Sequence, residues 1–192
     1  MKFPRIFLII TVILLAVINS YSDDRADATK LMNTCDKNAK TLEIAVTNFG
    51  DKDESASYQE ALKVIKLGKV KLAQSKFNDA KAKFNEYLKI ENDLYASLSP
   101  KYMERAQVLI DEIAEDLVDY VTNPNVLKNF TDADMHLKNA KSSYSSKNYQ
   151  ATVISCRLSK YLVINCYVYV KKQIPDKYKK DLEDYYNRIY KR

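Results

Sequence analysis

"SKNYQA", residues 146–151, separates two apolar-periodic runs, and a near copy, "SKFNDA", separates two more at residues 75–80. Ser and Asn side chains compete for backbone hydrogen bonds, so they resist continuing a helix and suit turns and N-caps. Tyr149 and Ala151 then offer a large ring beside a small residue, a pairing that lets two antiparallel helices approach. Each stretch therefore reads as a hinge inside a helical hairpin, not as a working loop.

The flanks repeat as well. Gly68 and Leu72 return 72 residues later as Ala140 and Tyr144. Phe84, Tyr87, Leu88, Leu94 and Tyr95 match Leu158, Tyr161, Leu162, Val168 and Tyr169 at an offset of 74, with the i, i+3, i+4, i+7 spacing of one helix face. "SPKYMERAQVLIDEI" (99–113) matches "PDKYKKDLEDYYNRI" (175–189), aligning Tyr102, Ala106 and Leu109 with Tyr178, Leu182 and Tyr185 at an offset of 76. The pattern predicts two related three-helix units, with helices over 58–73, 77–98 and 101–121, then 131–145, 149–173 and 176–191. Pro100 and Pro175 are expected at the entry to each third helix, where proline is best tolerated. Leu31, Cys35, Leu42 and Val46 predict an N-terminal helix over 24–47, and "NFGDKDESAS" (48–57) a polar linker. Two glycines and four prolines in 192 residues are too few for the many turns of a sheet protein, so the fold class is all-α.

In "NAKSSYSSKNYQATVISCRLSKYL" (139–162) the small Ala140 precedes the aromatic Tyr149 by nine positions, and Gly68 and Phe77 keep that spacing. This resembles the tetratricopeptide hairpin over roughly 58–98 and 131–173. The family's small residue in its second helix fits Ala80, and Ala151 or Thr152 more loosely. The resemblance implies stacked helical hairpins that present a surface to other proteins. The Lys/Asn/Tyr-rich style with an exported start is also similar to small helical-repeat proteins of the spirochaete periplasm, some of which build the collar around the flagellar motor.

That start is "MKFPRIFLIITVILLAVINSYSDD". Lys2 and Arg5 precede thirteen residues, Ile6 to Ile18, that are apolar except for Thr11, and Ser20 and Ser22 follow. Thirteen is short of the roughly 20 needed to span a bilayer, so residues 1–20 read as a signal peptide with the mature chain starting near Tyr21 or Asp23. The expected organisation is 1–20 signal peptide, 21–57 N-terminal helix and linker, 58–122 first helical unit and 123–192 second. Membrane contact is expected only through the signal segment if it stays uncleaved, and the location is periplasmic or otherwise exported.

The chemistry-bearing residues are sparse. His136 is the one histidine, and Cys35, Cys156 and Cys166 lack metal-ligand spacing, so no catalytic residue, cofactor or metal is expected. Cys156 and Cys166, ten residues apart on one predicted helix, stand about 15 Å apart, too far for a disulfide. Cys35 could pair with either. Asp111, Glu115 and Asp119 fall on one helix face opposite Ile110, Ile113 and Leu117, the pattern of a solvated surface. A cell-envelope hydrolase or cell-wall-binding protein using the carboxylates of 111–119 is the alternative reading. "NFT" (129–131) has the form of a glycosylation acceptor.

Charge and tyrosine point elsewhere. Residues 123–192 hold 14 basic and 6 acidic groups, net +8, and most of a dense tyrosine cluster. Tyr161 and Tyr169 follow the core stripe, whereas Tyr167, Tyr186 and Tyr190 cannot all share it. Export argues against nucleic acid as the natural partner of this basic unit, and its charge suits an acidic protein partner or an anionic envelope surface. Lys171, Lys172, Lys179 and Lys180 are the expected source of long-range attraction, and Tyr186 and Tyr190 of short-range contact. The function expected is an exported, non-enzymatic interaction or scaffold module.

Overall fold

The computed structural model describes the backbone of residues 4–185 and the side chains from Asp23 onward, Asp184 excepted. It is all-α, with no strand among the described residues. The helices are α1 (Pro4–Phe49), α2 (Lys52–Ala73), α3 (Phe77–Asp116), α4 (Pro124–Ser145), α5 (Tyr149–Tyr169) and α6 (Asp176–Lys179). A 3₁₀ turn at Val118–Tyr120 follows α3, and 3₁₀ backbone over Lys180–Tyr185 follows α6.

Several predicted boundaries shift, α4 starting at Pro124 instead of 131 and α5 ending at Tyr169 instead of 173 among them. The linker of 48–57 shrinks to Gly50 and Asp51. Gly50 donates to Val46 O at 2.7 Å, and a Cβ there would lie 2.5 Å from that oxygen, so only glycine makes this bend without displacement. Asp51 then accepts from the amides of Asp53 and Glu54 at 3.0 Å each, while Glu54 accepts from the Asp51 amide at 2.9 Å. This reciprocal capping box starts α2 six residues earlier than the apolar pattern does. Pro100 lies inside α3, not at a helix start. Its ring is exposed, and Ser99 Oγ donates to Tyr95 O at 2.6 Å beside the missing amide donor. The predicted helix over 176–191 is instead the single turn α6 followed by 3₁₀ backbone, broken at Glu183 with φ 54° and ψ −128°. Residues 186–191 of that prediction lie outside the described residues.

The packing forms two compact units, divided elsewhere than at residue 122. The first takes α1 up to Lys40 together with Gln59–Ile90; the second takes Thr41–Tyr58 and the chain from Glu91 on. Around α2 and the start of α3 the first core holds Ala28, Cys35, Ala61, Ile65, Ala80, Phe84 and Tyr87. Gly68 makes room there, since a Cβ would meet the Phe84 ring at 2.6 Å. The second core gathers Leu109, Ile113 and Leu117 of α3, Val126 and Ala133 of α4, and Val163, Ile164 and Tyr167 of α5. Ile174, Tyr178 and Leu182 seal it from the C-terminal side.

Both hinge stretches close their helices in the same way. Ser75 (φ 60°) and Lys147 (φ 59°) take the left-handed conformation one residue past the cap. Lys76 N donates to Lys71 O at 3.0 Å and Asn148 N to Ser143 O at 2.8 Å, while Ser75 N reaches Leu72 O and Lys147 N reaches Tyr144 O. This is the paired bonding of a Schellman turn, made here without its usual glycine. Asn148 then caps α5, its side chain accepting from Ala151 N at 3.3 Å.

The equivalence therefore runs at one offset of 72 through the whole hairpin. Ala80, Phe84, Leu94 and Tyr95 correspond to Thr152, Cys156, Cys166 and Tyr167, all buried. The expected partners at 74 are corrected: Val168 and Tyr169 are 46% and 43% exposed, and Tyr167 is the core tyrosine.

Candidate functional site

One face of α5 carries Val153, Cys156, Val163 and Ile164 into the core, and on the same side it carries Arg157 and Lys160. Lys160 is completely buried and Arg157 nearly so. Burying a charge is costly unless it is paired, and both are paired by the segment after α5, a strap over residues 175–185. Lys160 Nζ lies 2.8 Å from Glu183 Oε1 and 3.6 Å from Asp181 Oδ1, and Arg157 Nε donates to Glu183 Oε2. Arg105 of α3 grips Asp181 with a two-pronged guanidinium contact, Nε and Nη2 at 3.1 and 2.7 Å. That hydrogen bond and charge hold Arg105 above its ordinary pKa.

Aromatic rings complete the enclosure. Lys160 Nζ sits 4.3 Å from the Phe49 ring centre and 4.8 Å from that of Tyr102, and the two rings are 4.4 Å apart. Cation–π attraction thus supplements the carboxylate in a place water does not reach. Tyr102 is fully buried, and burial together with the adjacent Glu183 charge drives its hydroxyl pKa well up, so it stays protonated. Arg157 faces the Tyr185 ring at 5.5 Å. Glu183 reaches this position only with φ at 54°, where a side chain meets steric resistance.

Beside the cluster an open groove of about 490 Å³ is lined by Glu43, Ile44, Thr47 and Asn48 of α1 and by Lys179, Lys180 and Glu183 of the strap. The structure thus brings two of the sequence-predicted binding residues, Lys179 and Lys180, to one groove. Lys179 Nζ also pairs with Asp176 at 2.6 Å. Lys171 and Lys172 do not line it: Lys171 forms the left-handed turn after α5 (φ 56°), and Lys172 places its ammonium 4.8 Å above the Tyr120 ring. Tyr186 and Tyr190 lie outside the described residues.

The carboxylates of 111–119 divide by environment. Asp111, Glu115 and Asp119 are exposed, as their helical phase predicts. Glu112 is held below the usual carboxylate range by hydrogen bonds from Tyr178 and Lys177, and Asp116 accepts from the Tyr167 hydroxyl. All three cysteines are buried outside any disulfide, and burial pushes the Cys156 and Cys166 thiols up to about 12. Asn129 of "NFT" is 7% exposed and donates to Asn125 O at 3.0 Å, so its amide is turned into the helix. Among the described residues no three His, Cys, Asp or Glu side chains gather closely enough to hold a metal ion, and no helix is long and apolar enough to cross a membrane.

The ion cluster escaped the sequence reading, although a signal was present. Arg157 and Lys160 fall in phase with Val153, Cys156 and Val163, which makes them cations on an apolar face. Compared with protein-family models, curated proteins and solved structures, the chain matches none.

Proposed function

We propose that the protein is an exported, non-enzymatic interaction module that takes an acidic protein partner within an envelope assembly. The observation that carries this reading is the groove beside α1. Lys179 and Lys180 stand at its side, Ile44 supplies apolar surface, and the strap bearing the lysines is anchored by buried ion pairs. A fixed pair of cations over a partly apolar floor combines steering with contact, the arrangement that favours acidic segments. The buried acids of the strap are paired with cations, and Asp111, Glu115 and Asp119 form an exposed row, an arrangement that favours the interaction reading over the hydrolase alternative. Export rests on the leader-like residues 1–20 and on the resemblance to periplasmic helical-repeat proteins.

The test places a photo-crosslinker at Lys180 in the native envelope and identifies what it captures. The reading requires an acidic protein whose binding weakens as salt rises and falls with Lys179→Ala and Lys180→Ala together. Binding indifferent to salt and to both lysines overturns it. Intact-mass measurement of the protein from its own host checks export, with the mature mass expected to lack residues 1–20.

A further inference from the structure

We propose that Arg157 and Lys160 form a carboxylate seat for an acidic side chain of the partner, and that Glu183 occupies it as a built-in, displaceable competitor. The inference rests on the acidic-partner reading above and locates where the partner's charge ends up.

Three observations lead to it. First, the seat is built by rigid elements: Arg157 and Lys160 stand on α5, with Phe49 of α1 and Tyr102 of α3 against the ammonium. Its chemistry, two cations and an aromatic wall around one carboxylate, is indifferent to whether that carboxylate arrives in cis or in trans. Second, the present occupant is seated against resistance. Glu183 adopts φ 54° and ψ −128°, a region that only glycine enters freely, whereas an unstrained carboxylate of the same charge carries no such penalty. Third, the seat has an approach. Glu183 shares the lining of the open groove with Lys179 and Lys180 while its carboxylate is buried against Lys160, so a ligand lying along the two lysines arrives at the groove of the residue it would replace. Asp181, clamped by Arg105, and the buried Leu182 and Tyr178 hold the rest of the strap, so exchange at Glu183 does not require the strap to leave.

The experiment uses the full chain and a fluorescent peptide copying residues 175–185, PDKYKKDLEDY. Glu183→Gly empties the seat and relieves the backbone. It should bind the peptide roughly tenfold or more tightly than the wild type, because a site occupied in cis shows an affinity reduced by its vacant fraction. The gain should vanish when the peptide itself carries Glu183→Gln, and when the chain carries Lys160→Leu beside Glu183→Gly. Equal binding by wild type and Glu183→Gly, or binding that ignores the peptide's carboxylate, overturns the proposal. If Lys160→Leu leaves binding intact while Lys179→Ala with Lys180→Ala abolishes it, the acidic-partner reading survives and the displaceable seat does not. Should Glu183→Gly fail to fold, wild-type chain with excess peptide decides. Hydrogen exchange of the amides of 183–185 must accelerate while those of 176–182 stay protected, and unchanged exchange at 183–185 sinks the proposal.

Discussion

The two hairpins share a turn, a register and a spacing, yet they finish their second helices in opposite ways. In the first, α3 runs from Phe77 past Pro100 to Asp116; in the second, α5 stops at Tyr169 and the chain folds back. At equivalent positions the first hairpin carries Asn85 and Leu88, the second Arg157 and Lys160. A helix with Leu at that position needs only apolar cover. A helix with Lys there needs an anion, and a straight continuation would carry the acids of the strap away. The reversal after Lys171 (φ 56°) brings Asp181 and Glu183 to the cations. Similar hairpins thus end differently where these two positions differ in charge, and the strap that pairs those charges brings Lys179, Lys180 and Glu183 to the groove.

The sharpest way to break this contrast is to remove the anion from the second hairpin. Glu183→Gln leaves Lys160 and Arg157 without that charge, and loss of one partner from a buried pair costs about 3–5 kcal/mol. Urea denaturation should show that loss, while Lys160→Leu, which installs the residue of the first hairpin, should cost less than half as much. An equal cost for both would show that the strap depends on Lys160 itself more than on shared pairing with Arg157.

Next in size is the exchange of small for large inside each core. The first hairpin places Gly68 against Phe84, and the second has Ala140 and Cys156 at those positions. Gly68→Ala should therefore destabilise by about 1–3 kcal/mol through overpacking, and Phe84→Leu in the same chain should recover much of it. A neutral Gly68→Ala would mean that the Phe84 ring moves freely, removing the volume argument.

The turns test what the hairpins share. Ser75→Gly and Lys147→Gly each relieve a left-handed residue and should raise stability by about 0.5–1 kcal/mol, nearly equally. Unequal gains would show that the two Schellman turns differ more than their hydrogen bonds do.

The smallest effect is local and depends on pH. Burial alone would raise the Glu54 carboxyl, but hydrogen bonds from Lys101, Ser97 and the Asp51 amide outweigh it and hold the pKa below its ordinary 4.5. A lowered folded-state value means that the contribution is complete above the unfolded pKa and disappears as pH falls through the folded one. The start of α2 should fray below about pH 4, whereas α4, capped by the neutral Asn123 and Pro124, should not. Amide exchange of residues 52–56 and 124–128 across pH 3–6 separates the two.

The hinge was legible because Ser, Asn and an aromatic stand together in six residues, and local chemistry determined it. The register was harder. Tyr95 can be matched to Tyr167 or Tyr169, two residues apart, and only burial decides between them. Pro100 misled because proline marks helix starts by default, while here its ring is on the exposed side of a helix packed along its length. Of the candidate binding residues, Lys179 and Lys180 were singled out by charge density alone, and both line the groove. The acids that fix them in place could not be found that way, since "DLED" reads like any polar segment until tertiary structure carries it to α5. Phe49, predicted to lie in a linker, reaches Lys160 only because Gly50 lets α1 run to its last possible residue.

The strap also makes the second hairpin depend on the far end of the chain. Glu183 lies 26 and 23 residues beyond Arg157 and Lys160. Until its carboxylate docks, α5 bears two cations on an apolar face, and their hydration opposes the closing of Phe49 and Tyr102 over them. The second hairpin cannot dry its own interior by itself; the anions that let it do so arrive from the last described turn of the chain.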